Sequence, residues 1–121
     1  MLAKKYRLKK NFEFRITYLQ KQYTHSGLCS LNIGKAKPDE AYTTRVAFVV
    51  SKKIDKRASK RNLIKRRMRE AYRSFLQDEN FDFQRWKTMI FMAKKECLNA
   101  DFFQIKNSML ECIKKALKKY D

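Results

Sequence analysis

Residues 46–73 read VAFVVSKKIDKRASKRNLIKRRMREAYR, and the fold turns on how that stretch divides. Residues 43–51 predict a strand, and its run 46–50, the first five residues quoted, is apolar and rich in β-branched side chains. Being apolar on both sides, that strand is expected at the centre of a sheet covered on both faces. From residue 57 to residue 77 the spacing becomes helical, with Ile64, Met68, Ala71, Tyr72 and Phe75 marking a core face. Between residues 51 and 73 eleven side chains are Lys or Arg, against only Asp55 and Glu70. A disordered basic tail has no apolar stripe, so these cations are expected on a folded surface. Cations held in fixed geometry match a fixed polyanion, and a folded nucleic acid is the expected partner.

At about 100° per residue, Asn62, Arg66, Arg69 and Arg73 fall in one row opposite the apolar stripe. Guanidinium forks bind phosphate oxygens bidentately, and an Asn amide bonds sugar hydroxyls or phosphate. Lys65 flanks the row, Arg57, Lys60 and Arg61 stand at the helix entrance, and Lys52 and Lys53 extend the patch from the strand end. A merely solvated helix face mixes charge signs so that Glu can pair with Lys. Here only Glu70 offers that pairing.

Working outward, residues 1–10 form a basic arm, and residues 11–23 carry Phe12, Ile16, Leu19 and Tyr23 at helical spacing. Phe14 and Tyr18 project to another side of that helix, near Arg7, Lys9, Lys10 and Arg15. Such aromatics either pack on a sheet or stack on unpaired bases, or line a groove that does both. Residues 28–33 predict a short strand, 34–42 a loop, 78–84 a second loop and 86–93 a strand. A last helix, capped by Asn99 or Asp101, carries Phe102, Ile105, Met109, Cys112, Ile113, Ala116 and Leu117 as its apolar stripe. The order is α-β-β-α-β-α, an α+β fold with three helices against a small sheet.

The chain has 121 residues and only two Gly and one Pro, as expected of a single domain with short loops. Thirty Lys and Arg against twelve Asp and Glu give a net charge of +18. Cys29, Cys97 and Cys112 are widely spaced without a CxxC pair, so reduced thiols in the cytoplasm are expected. No apolar run approaches the ~18 residues of a membrane span, and the start has no signal-like apolar segment. Neither a membrane nor a small-molecule substrate is expected as partner. Catalytic signals are poor: His25 is the single histidine, and no glycine-rich phosphate loop or metal-ligand spacing occurs. No catalytic or metal-ligating side chain is therefore expected.

The strand VAFVVSKK, the linker ending RASKRN and the helix IKRRMRE together resemble the bacterial ribonuclease P protein component. The opening RLKKNFEF and the MAKK after the Trp86 strand extend the resemblance over nearly the whole chain. It implies three helices and a central sheet with a left-handed β-α-β crossover. It also implies a small subunit whose RNA partner removes the 5′ leader of precursor tRNA by Mg²⁺-dependent hydrolysis. By position, Lys52, Lys53, Arg61, Asn62, Lys65, Arg66 and Arg69 would contact the catalytic RNA, and Phe14 and Tyr18 would line the leader cleft, with Arg7 beside them as a further leader-binding residue. Leu63 stands where the family signature usually has a further arginine, and Asp55-Lys56-Arg57 replaces a linker glycine. A ribosomal or general structural RNA-binding protein shares the charge and size, and a DNA-binding module lacks its helix-turn-helix signature.

Overall fold

Strand, basic turn and long helix succeed one another along residues 45–77 in a computed structural model that describes residues 2–121. Met1, the first residue of the expected basic arm, lies outside them. The elements are α1 (Asn11–Leu19), β1 (Gln22–His25), β2 (Cys29–Ile33), β3 (Arg45–Val49), α2 (Ala58–Gln77), β4 (Thr88–Ala93) and α3 (Phe102–Tyr120). Short 3₁₀ turns at Lys4–Tyr6 and Lys95–Asn99 complete them. The four strands form one sheet in the order β1-β2-β4-β3. β1 with β2 and β2 with β4 are antiparallel, whereas β3 and β4 run parallel across the α2 crossover. This is the expected α+β architecture of three helices and a small sheet.

One face of the sheet holds the main core. Leu31, Ile33, Val46, Met89 and Phe91 from the strands meet Ile64, Met68, Tyr72 and Phe75 of α2 and Ile105, Met109, Cys112 and Ile113 of α3. The predicted stripe of α2 is buried in full. Its Tyr72 ring meets Phe48, Phe83 and Phe91 edge-on, with centroids 5.8, 5.5 and 6.1 Å away. Of the two possible caps for α3, Asp101 is used: it accepts from Gln104 N at 2.8 Å while Gln104 returns the bond at 2.9 Å. Cys29, Cys97 and Cys112 are all free and buried.

The opposite face is thinner. Leu8, Ala47 and Ile90 form a second small cluster, against which Phe14, Val49 and Met92 pack. α1 lies here, and the one residue it buries fully is Thr17, whose hydroxyl meets Glu13 O and Thr88 Oγ1. Gly34 makes room for that contact, because a Cβ at this position would stand 2.3 Å from Thr88 Oγ1.

Three local expectations are corrected. The first helix stops at Leu19, not residue 23, since Lys21 adopts a left-handed φ of 54° and Gln22–His25 pair with β2 as a strand. The apolar stripe Phe12, Ile16, Leu19 is exposed, because α1 turns Phe14 and Thr17 to the sheet. The interior strands are β2 and β4, and β3 is at the edge. That edge is covered by the basic arm, which docks through buried Leu2 and Leu8 and bonds Leu8 N to Val46 O at 2.9 Å. A covered edge strand is apolar on both faces just as a central one is.

Candidate nucleic-acid interface

The apolar stripe that seats α2 on the core fixes the direction of its other face. Asn62 and Arg66 are exposed there, and Lys65 and Arg69 are half-buried beside them. None of the four is in an ion pair among the described residues, and neither is Lys60, Lys52 or Lys53. The side of α2 from residue 60 to residue 69 is thus a continuous row of unneutralised cations around one amide. Lys52 and Lys53 sit exposed in the turn that follows β3, where Lys53 N donates to Ser51 Oγ at 3.0 Å.

The remaining sequence-predicted cations, Arg57, Arg61 and Arg73, also make contacts within the protein. Arg57 grips Asp55 with two contacts, Nε to Oδ1 at 3.1 Å and Nη2 to Oδ2 at 2.8 Å. Those hydrogen bonds, the Arg57 backbone N–H and the nearby positive charge hold the Asp55 carboxyl down at about 2. Arg61 Nη1 donates to the carbonyls of Asp55 and Lys56 at 2.9 and 2.8 Å, stapling the linker to the first turn of α2. Arg73 lies 3.9 Å from Glu70. Arg67 donates to Ala100 O at 2.9 Å, tying α2 to the segment before α3, so it does not replace the cation missing at Leu63.

Beside this row, between α2 and α1, lies a groove of about 260 Å³. Its floor is the outer face of β3, and Leu8, Phe14, Arg7 and Lys9 line one side while Lys65 and Arg69 line the other. Of the expected aromatic pair, Phe14 is in the groove, packed on the Leu8–Ala47–Ile90 cluster. Tyr18 is one turn further along, 39% exposed, with its hydroxyl 3.8 Å from Met92 Sδ. Partial burial raises the Tyr18 phenol above its ordinary value, so it stays a neutral donor. Arg7 anchors the arm through Nε to Leu2 O at 2.9 Å and still reaches the groove. Leu8, Ala47 and Val49 belong to this site but look like ordinary core residues in the sequence. No sequence signal separates them, because a covered edge strand is apolar on both sides as a central one is.

An apolar floor, a ring and four cations suit an extended chain of bases and phosphates. The same donors do not suit a metal. Among the described residues no three His, Cys, Asp or Glu side chains are grouped to hold one, so this surface does not fit the Mg²⁺ implied by the resemblance.

Comparison with known proteins places the chain in a family. The family model described as Ribonuclease P matches residues 2–117. The ribonuclease P protein component of Clostridium kluyveri is 32% identical over 111 residues, covering 92% of this chain and 94% of that one. Its counterpart in Listeria innocua is 31% identical over 114 residues, covering 93% and 89%. A solved ribonuclease P protein from Staphylococcus aureus superposes with a TM-score of 0.73 at 27% identity, covering 96% of this chain and 93% of that one. The Thermotoga maritima ribonuclease P protein shares the fold, with a TM-score of 0.73 at 19% identity over 90% of this chain and 96% of that one. With a family model spanning nearly its whole length and relatives above 30% identity, the chain belongs to the ribonuclease P protein component family.

Proposed function

We propose that this protein is the protein subunit of ribonuclease P, an endoribonuclease whose catalyst is its RNA. The α2 row docks on the catalytic RNA, and the groove beside it receives the single-stranded 5′ leader of precursor tRNA. One observation carries this reading: Lys65 and Arg69 belong to the cation row and also line the groove that holds Phe14 and Arg7. Two polyanions thereby meet across a single helix, whose charge reduces their mutual repulsion. Phe14 offers a flat apolar surface to a base, and the flanking cations follow the backbone. Such binding tolerates any leader sequence, since every base has a π-face.

Mg²⁺ supplies the hydrolytic chemistry and is held mainly by the RNA. The protein's own contribution is to bind and orient the leader relative to the RNA. The buried free thiols fit action in the cytoplasm, where cysteines stay reduced. The test is binding of two ligands by the reconstituted particle. Phe14→Ala with Tyr18→Ala is expected to weaken precursor tRNA by at least tenfold, at roughly 1–3 kcal/mol per stacked base. Mature tRNA, which has no leader, is expected to bind as before. Equal losses for both ligands would remove the leader groove from this proposal.

A further inference from the structure

At the opposite edge of the sheet, β1 and the end of α3 enclose a second and wider groove, of about 670 Å³. Lys21, Lys115, Lys118 and Lys119 line it with the rings of Tyr23 and Tyr120, and no Asp or Glu is among its lining residues. Part of this lining has a structural duty. Tyr120 OH meets both Tyr23 N and Tyr23 O at 3.3 Å, and Lys115 Nζ donates to His25 O at 2.9 Å. These bonds close the outer edge of β1, and Lys115 also pairs with Glu111 at 3.2 Å.

The rest of the lining is not consumed that way. Lys21 and Lys118 have no ion pair among the described residues, and Lys119 meets only the Tyr120 ring, its Nζ 5.2 Å from the centroid. Tyr23 is 56% exposed although it sits in a strand. Complementing the C-terminal dipole of α3 accounts for Lys118 and Lys119, but it accounts for neither the Tyr23 ring nor Lys21. Lys21 is the one non-glycine residue with positive φ among the described residues. That conformation is disfavoured for any residue with a Cβ, and here it goes with a lysine lining the groove.

We propose that this groove is a second docking surface for an unpaired RNA segment, with Lys21, Lys118 and Lys119 on its phosphates and Tyr23 against a base. It rests on reading the chain as an RNA-binding subunit, but on residues separate from α2 and α1. Three strand spacings, about 14 Å, separate the β1 edge from the β3 edge. One protein would therefore hold two RNA segments at once, on opposite edges of one sheet.

The experiment is an amide NMR titration of the full chain with a twelve-residue oligouridylate at 0.1 M salt. Signals of residues 21–25 and 118–120 are expected to shift saturably, and to do so equally in Arg66→Ala with Arg69→Ala. Lys118→Ala with Lys119→Ala is expected to weaken this set roughly tenfold or more, from two lost phosphate contacts. Lys95→Ala with Lys106→Ala, which removes equal charge elsewhere, is expected to leave it within about twofold, since one missing phosphate contact already costs more. Lys21→Gly removes the side chain while relieving its backbone, so weakened binding by that folded variant supports the surface independently. The proposal is overturned if residues 21–25 and 118–120 do not shift, or if their response vanishes in the α2 variant. An equal response to a twelve-base-pair RNA duplex overturns it too. Silence at α2 with a response here would instead defeat the ridge and leave this surface standing.

Discussion

α1 and α2 are both amphipathic helices laid on one sheet, yet they are held in opposite ways. α2 spends its whole apolar stripe on the core and shows solvent a cationic face. α1 shows its apolar stripe to solvent, with Phe12, Ile16 and Leu19 at 55, 47 and 66% exposure, and is anchored by Phe14 and the Thr17 hydroxyl. The contrast follows from the layers beneath. α2 shares a deep core with α3, whereas α1 has only the small Leu8–Ala47–Ile90 cluster. Incomplete burial on that side is what leaves a groove open next to the cations.

The sharpest way to break this contrast is to truncate one apolar residue on each helix. Met68→Ala empties a fully buried site and is expected to cost about 2–5 kcal/mol in urea unfolding. Leu19→Ala is expected to stay within about 0.5 kcal/mol. Equal losses would mean that α1 is packed as tightly as α2. Next comes Gly34→Ala, whose Cβ would press on Thr88 and disturb the hydroxyl contact that seats α1. A loss of about 1–3 kcal/mol is expected, with larger amide shifts in α1 than in α2.

On the other side of the comparison, Arg66→Ala with Arg69→Ala is expected to leave the unfolding midpoint unchanged. Filter binding to the catalytic RNA should weaken roughly 25-fold at 0.1 M salt, about 2 kcal/mol, with a shallower salt slope. Unaltered binding would move the contact off α2. The smallest effect concerns the linker leading into α2. Arg57 holds the Asp55 carboxyl at about 2 in the folded chain, below its unfolded value near 4. Its stabilisation is therefore complete above about pH 4 and is lost as pH falls toward 2. Unfolding of Asp55→Asn should lack that increment, and parallel acid titrations of variant and parent would refute it.

Legibility in the sequence followed the same divide. The faces of α2 and α3 were readable because a single deep core imposes one clean helical period on each. α1 was misread because Phe12, Ile16, Leu19 and Tyr23 keep that period although none is buried, and it ran on through residues that form β1. β1 itself has no apolar alternation, since Thr24 is its one buried residue and the strand is held by pairing with β2. The edge position of β3 was hidden because residues 7 and 8 cover it. Within the basic segment, charge alone could not separate Arg57, Arg61 and Arg67, which brace the backbone, from Lys60, Asn62, Arg66 and Arg69, which face outward. Only the positions of Asp55 and of three carbonyl oxygens decide that.

The parallel pairing of β3 with β4 has a kinetic side. Arg45 registers with Thr88, so the chain must close a loop containing all of α2 before the two strands can meet. Closing a loop of that length costs on the order of 3 kcal/mol in chain entropy, and nonlocal pairings of this kind slow folding. The helix inside the loop carries seven Lys and Arg against one Glu, a charge that resists compaction until a polyanion screens it. Nascent chains should thus mature fastest where RNA is already present, with the partner acting as a scaffold for the subunit it later retains.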